Sequence, residues 1–238
     1  MIMNLFPVLK EILEALEQLV KFNKPHFIYT NKMPFSKEDI QILSRVFAPA
    51  ELEMQDNSTN NRVMVHNTQF PGVWVSTLWG RTVELTPILE ILEVNWYPHT
   101  IGFPPEDFLQ GLAEFEAAVA SIPQMNRSVK QAITTGVAIA REKQQEVRWP
   151  LRADFKNLSH YLLVPGSLFL KSPEMTIQAT QFWGVWVSTH ASGEQELIVS
   201  PFPEAFIAPA ADVKSGIERL QHNYLQLQLT YPIQGVSS

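Results

Sequence analysis

Thr68-Gln69-Phe70-Pro71-Gly72-Val73-Trp74-Val75-Ser76-Thr77 recurs as Thr180-Gln181-Phe182-Trp183-Gly184-Val185-Trp186-Val187-Ser188-Thr189, displaced by 112 residues and differing only at Pro71/Trp183. Chance does not produce such a match within one chain. A period this long is that of a duplicated domain, not of a stacked solenoid repeat. The match extends outward with small gaps. Upstream, Asp39, Leu43 and Ser44 correspond to Asp154, Leu158 and Ser159. Downstream, Asp107-Phe108, Gly111-Leu112 and Phe115 correspond to Asp212-Val213, Gly216-Ile217 and Leu220. Each copy reads helix, several strands, helix. Along the shared strand Val73, Val75 and Thr77 point to one side, and Trp74 and Ser76 to the other. Gly72 permits close backbone approach or a φ that other residues resist. Trp74 and Trp186 are either core anchors or partner-facing hot spots.

The flanking segments give the domain plan. Leu5, Leu9, Ile12, Leu13, Leu16, Leu19 and Val20 share one helical stripe opposite Lys10, Glu11, Glu14 and Glu17, so Asn4–Lys21 reads as a helix packed on the protein's own core. The alternative is a partner-binding or dimerising helix. A polar loop follows. Ser36 is placed to cap a helix over 37–47, with Asp39 where Glu or Gln would complete a capping box, and Pro49 stops it. Asp56–Asn61 is polar and Asn-rich, an exposed loop. Val63, Val65, Val73, Val75 and Thr77 alternate as strands do, with a turn at Pro71-Gly72. Val83–Tyr97 reads as one or two more strands. Helices are expected over 106–121, and over 126–145 with Asn126 as cap. The fold class is therefore α+β: two duplicated modules, each a mainly antiparallel sheet with flanking helices. Residues 1–35 form an N-terminal helix and loop, 36–122 the first module, 123–147 a linking helix and 148–238 the second module.

Composition narrows the function classes. The 238 residues are 45% hydrophobic and 18% charged, as in an ordinary globular chain. With no cysteine there are no disulfides, thiolate metal sites, cysteine-ligated clusters or thiol nucleophiles. A net charge of −6 with scattered Lys and Arg argues against nucleic acid. No apolar run approaches the roughly 20 residues that span a bilayer, and the first helix, interrupted by glutamates, is no signal peptide. The protein reads as soluble and cytoplasmic, with no membrane association and an oligomeric state that the sequence leaves open.

No catalytic constellation is legible. His26, His66, His99, His160, His190 and His222 form no H-x-x-x-H or H-x-H pair. Gly-rich phosphate loops and G-x-S-x-G elbows are missing too. Glu51 and Glu53 share a strand face, a pattern that solvated edges also carry. The expectation is a protein with no catalytic, cofactor-binding or metal-binding residues. Its candidate partner-binding residues are the motif aromatics Phe70, Trp74, Phe182, Trp183 and Trp186.

The duplicated T-x-F-x-G-V-W element, followed by Ile88-Leu89-Glu90-Ile91-Leu92-Glu93-Val94 and Pro98, resembles the HupH/HyaF family of hydrogenase expression proteins. Ala50-Glu51-Leu52-Glu53, upstream, is similar as well. The resemblance covers roughly residues 36–100 and, more weakly, 150–210. Two departures stand out. Val75 and Val187 follow G-V-W where family members carry a basic residue. The Gly- and Glu-rich stretch before the motif is reduced to Ala50-Glu51-Leu52-Glu53 and Gly166-Ser167-Leu168. The resemblance implies a non-catalytic accessory or chaperone role in nickel–iron hydrogenase maturation, with no cofactor. Its client would be a protein, the iron–sulfur small-subunit precursor. The alternative is a small-molecule-binding or regulatory domain with a pocket between the modules.

Overall fold

The structure, a computed structural model, describes residues 2, 4–57, 62–80, 88–123, 125–152, 158 and 162–232. The fold is α+β. In chain order the described residues form α1 (Leu5–Phe22), β1 (His26–Tyr29), α2 (Lys37–Val46), β2 (Pro49–Asp56), β3 (Arg62–Thr68), β4 (Val73–Trp79) and β5 (Leu89–Val94). They continue as α3 (Pro105–Ser121), α4 (Arg127–Lys143), β6 (Val147–Pro150), β7 (Pro165–Lys171), β8 (Met175–Thr180), β9 (Val185–His190), β10 (Gln195–Val199) and α5 (Ala210–Thr230). The strand pairings whose register is described are all antiparallel.

The helices start where their caps place them. Ser36 Oγ accepts from the Asp39 N–H at 3.0 Å, and Asp39 Oδ2 accepts from the Ser36 N–H at 2.8 Å, so Asp completes the capping box. The fully buried Asp39 carboxylate also accepts from the N–H groups of Asn4 (3.3 Å) and Leu5 (3.2 Å). One anion thereby satisfies amides at the start of two helices and ties α1 to α2. Leu5, Leu9, Ile12, Leu16 and Leu19 of α1 are buried, as their stripe predicts. Asn126 caps α4 through the Ser128 N–H at 2.9 Å.

Of the one or two strands expected over 83–97, Leu89–Val94 is described, and residues 83–87 lie outside the described residues. The sequence reading differs from the strands in two places. The polar loop after α1 contains β1, and β6 is a second strand of four residues. Four residues are too few to display an alternation. The loop expected at 56–61 begins at Asn57, but residues 58–61 lie outside the described residues, as do 81–87, Asp154 and Ser159.

The chain forms two compact units, and neither is contiguous in sequence. Unit 1 holds residues 1–51, 65–98 and 208–238, and unit 2 holds 52–64 and 99–207. In unit 1 the strand order is β1-β5-β4-β3, and in unit 2 it is β2-β7-β8-β9-β10-β6. The repeated motif is built alike in each. In unit 1 the Thr68 hydroxyl accepts from the Phe70 N–H at 3.2 Å, Gly72 sits at φ +85°, and its carbonyl accepts from the Asn95 N–H at 2.9 Å. The buried Trp74 Nε1 donates to the Asn95 carbonyl at 2.9 Å. In unit 2 the Thr180 hydroxyl accepts from the Phe182 N–H at 3.2 Å, Gly184 sits at φ +80°, and its carbonyl accepts from the Ser200 N–H at 3.0 Å. Trp186 Nε1 donates to the Ser200 carbonyl at 3.0 Å.

The helix over each turn follows the other motif in the chain. α3 follows the first motif in the chain but packs on the second motif's turn. A Cβ on Gly111 would lie 2.3 Å from the Trp183 carbonyl oxygen, and one on Gly184 would lie 2.2 Å from the Phe108 ring. α5 follows the second motif but packs on the first. A Cβ on Gly72 would lie 3.2 Å from Val213, and one on Gly216 would lie 3.3 Å from Pro71 Cδ. α4, read from sequence as a link, lies inside unit 2. Its Val129, Ile133, Val137 and Ala140 join a core with Phe115, Phe182, Val185 and Leu197. The compact units are thus drawn differently from 36–122 and 148–238. On the sequence repeat we propose those two segments as copies of one ancestral module that have exchanged their closing helices.

An ionic chain holds β6 in unit 2. Arg148 bridges Glu146 and Glu196, and Glu196 Oε2 lies 3.2 Å from His190 Nε2. Burial opposes ionisation of Glu196. The hydrogen bonds and charges of His190 and Arg148 outweigh it and hold the carboxyl below the usual carboxylate range.

Three outcomes are expected. Gly111→Ala should lose about 1–3 kcal/mol, because the new methyl meets backbone that cannot yield. Gly216→Ala, at the matching helix position, should be neutral or gain up to about 1 kcal/mol from helix propensity, because its nearest contact is looser. Denaturant unfolding of both variants checks this, and equal losses would refute the exchange as drawn. Second, fragments 1–125 and 126–238 expressed apart should aggregate, since 1–125 lacks the α5 that covers Gly72. Two independent cooperative transitions would count against it. Third, Glu196 has a depressed folded pKa, so its contribution is complete above the unfolded carboxylate value of about 4.3 and is lost as pH falls through the folded value. Glu196→Gln should therefore lower stability at neutral pH by at most about 1 kcal/mol for this partly exposed pair, and by nothing measurable near about pH 2. Urea titrations at both pH values decide it, and an equal loss at both would show that the ion pairs are not responsible.

Candidate functional site

The five motif aromatics do not form one surface. Phe70, Trp74, Phe182 and Trp186 are buried, so the expectation that they contact a partner is corrected for these four. Their rings fill the units in which the motif turn sits, and the two indole N–H groups are already bonded to strand-end carbonyls. Trp183 alone remains available, at 45% exposure. Its ring packs on Phe103 with centroids 5.1 Å apart, and its backbone is pinned against Gly111 of α3. A large amphipathic side chain is thus displayed in unit 2 on a fixed backbone, which lowers the entropy lost when a partner covers it.

Sequence reasoning missed a second feature, in unit 1. A cavity of about 460 Å³ lies between α2 and the sheet. Such a volume is within the roughly 300–1,000 Å³ of ligand-binding pockets. α2 contributes Ile40, Leu43, Ser44 and Phe47, while the sheet contributes His66, Val75, Glu90 and Leu92. Thr30 and Asn31, in a 3-10 turn after β1, close one end. The Thr30 hydroxyl lies 3.1 Å from both the backbone carbonyl and Oε1 of Glu90, and Asn31 Nδ2 donates to the Ile88 carbonyl at 3.1 Å. The walls are mostly apolar, and the exposed Glu90 sets a carboxylate among them. The sequence signal for this was the acidic strand itself. Alternation along β5 sends Glu90 and Leu92 to the cavity side. Glu93 goes to the opposite face beside Trp74, its register partner, and is fully buried. Asn95 Nδ2 donates to the Glu93 carboxylate at 3.3 Å. Burial and, secondarily, the Glu93 charge push the Tyr97 hydroxyl pKa up.

The titratable groups of β9, β10 and β6 are bonded to one another. Ser188 lies two residues before His190 on β9 and opposite Glu196 in register, a trio of nucleophile, base and carboxylate types. Ser188 is fully buried, however, where no substrate reaches it, and His190 Nε2 is engaged with Glu196. Ser76, its counterpart in the first motif, is likewise a buried hydroxyl without a protein partner. Among the described residues no three His, Asp or Glu side chains are grouped to hold a metal ion. No helix among them is long and apolar enough to cross a membrane.

A solved structure, the hydrogenase expression protein HupH from Thiobacillus denitrificans ATCC 25259, is similar over 50% of this chain and 97% of its own, with 23% identity and a TM-score of 0.42. No curated protein matches the sequence. The model of the HupH hydrogenase expression protein, C-terminal conserved region, matches residues 2–139. That span is more than half of the chain and takes in α1 to α3, the first motif, the acidic strand and every residue lining the unit 1 cavity. The chain therefore belongs to the HupH hydrogenase expression protein family.

Proposed function

We propose that this protein is a non-catalytic accessory factor in nickel–iron hydrogenase maturation, acting in the cytoplasm as a chaperone for a protein client. The client in this reading is the iron–sulfur small-subunit precursor. The family match over residues 2–139 carries the assignment to hydrogenase expression. Three features of the chain support the finer reading. It has no cysteine to compete for a cluster or carry one. It also displays Trp183 on a clamped backbone, and exposed aromatic anchors on rigid supports are the usual centres of protein contacts. An acidic surface keeps such a factor soluble while it holds an apolar client. The alternative is a small-molecule-binding or regulatory domain, for which the unit 1 cavity has sufficient volume.

The experiment is a pull-down from the native cell grown under hydrogenase-inducing conditions, read by mass spectrometry and repeated with Trp183→Ala. Wild-type protein should recover a hydrogenase subunit. The variant should lose at least about 2 kcal/mol of that binding, the cost of truncating a hot-spot aromatic, while its melting temperature changes little. Loss of binding together with a large fall in melting temperature would make Trp183 structural. Recovery of no hydrogenase or cluster-assembly component would defeat the client assignment in favour of the small-molecule reading.

A further inference from the structure

We infer that the unit 1 cavity between α2 and the sheet is an anchor pocket for an apolar side chain of a protein partner, carried on a segment with a lysine or arginine beside that anchor. The inference rests on the proposal that this chain binds a protein, and adds where on unit 1 and by what chemistry.

Three observations carry it. The cavity interior is apolar, with Leu43, Phe47, Val75 and Leu92 on its walls, so its occupant is an apolar group. Glu90 lies on the same wall and is exposed. Only Oε1 of this carboxylate is described as accepting from Thr30, and a carboxylate accepts several bonds, so a cation beside the anchor finds an acceptor there. The net charge of −6 on the whole chain adds to the pull of Glu90 on a basic segment. The third observation chooses a chain over a free small molecule. Ile40, on the cavity wall, is 55% exposed, and so is Ile88, two residues before Glu90. A small molecule held inside would touch Ile40 but leave Ile88, which is not on the cavity wall, in water. A peptide that inserts one side chain also lays backbone and neighbouring residues over such surface, in the manner of groove recognition.

The construction keeps the pocket open. α2 is fixed at its N-terminus by the Asp39 carboxylate, which is tied to α1, and at its other end Gln69 Nε2 donates to the Val46 carbonyl at 2.8 Å. The helix is held at both ends, so the cavity beneath it does not depend on an occupant for its walls.

The test uses the full chain with methyl labels on Ile, Leu and Val, titrated with three probes: the blocked peptides Ac-Ser-Phe-Lys-Ser-amide and Ac-Ser-Phe-Glu-Ser-amide, and free phenethylamine. The Phe-Lys peptide should shift the Leu43, Val75 and Leu92 methyl signals. The Phe-Glu peptide should bind more weakly by up to about fivefold, the scale of an exposed ion pair. Glu90→Gln should abolish that preference and leave the melting temperature unchanged. High salt should also shrink it. Ser44→Trp, which fills the pocket from α2, should block both peptides, and its native spectrum elsewhere would show that it still folds. Equal binding of the two peptides would overturn the basic partner. Phenethylamine binding as tightly as the Phe-Lys peptide would overturn the peptide occupant. No shift at these methyls with any probe would overturn the pocket. If wild type and Ser44→Trp recover a hydrogenase subunit equally well from cells, the pocket assignment fails and the proposed function stands. If the Phe-Lys peptide binds as described but no hydrogenase component is recovered, the proposed function fails and the pocket stands.

Discussion

Each unit is organised around one hydrogen bond inside an apolar layer: a buried indole N–H donating to the carbonyl at the end of the neighbouring strand. Trp74 does this to Asn95 and Trp186 to Ser200. The bond has two consequences. A buried carbonyl without a partner would cost about 1–3 kcal/mol, so the indole cannot be replaced by a ring of similar bulk that lacks the donor. The indole also fixes where the next strand ends, because the residue it reaches also donates back to the motif glycine. That glycine, at positive φ, lets the chain turn tightly enough to bring the two backbones together. Thr68 and Thr180 stabilise the approach to the turn, and Phe70 and Phe182 seal it from below. The Thr, Phe, Gly and Trp of the motif make the same bonds and turn in both units. The tenth position, Pro71 or Trp183, is where the two stretches differ.

Close packing above the turn then decides which helix can cover it. Gly111 lies directly on the backbone of Trp183, so α3 is placed by the absence of a side chain. In unit 1 the corresponding approach is looser, with Gly216 facing the Pro71 ring. The difference follows from the substitution at the tenth position. A proline ring fills space that the tryptophan, whose side chain leaves for the surface and packs on Phe103, vacates for the helix. The one exposed aromatic of the motif is thus a product of how its turn is covered.

Much of this was legible in the sequence, and the limits have physical causes. Leu5–Phe22, with its long stripe, and α2, with its Ser36 capping box, were readable because periodicity and the capping box are local. The motif strand and its turn were readable because they occur twice. β1 and β6 were not, because a four-residue strand at the end of a sheet is defined by its partner and shows no pattern of its own. The helix exchange was hidden for a related reason. Gly111 and Gly216 align with each other, but nothing local says which turn each helix meets. The partner-facing role of four motif aromatics failed on burial, since a tryptophan on a β-strand has the same sequence signature whether it faces core or solvent. The unit 1 cavity left no motif because it is a gap between α2 and strands β3, β4 and β5, set by how these elements pack and by no local pattern. Its only trace was Glu90, out of step with its apolar neighbours.

The exchanged helices have a consequence for synthesis. Unit 1 needs the turn at Gly72 and the helix Ala210–Thr230 that covers it, so it cannot close until almost all of this chain has left the ribosome. Roughly 150 residues separate the two, which at ordinary elongation rates is a delay on the order of 10–30 s. Throughout that time the α5-facing side of α1 and the Gly72 turn are without their cover. The unit that contains the beginning of this sequence is therefore the last to be completed. Until α5 arrives, the apolar surface that it will cover on unit 1 must be shielded by other means or stay in water.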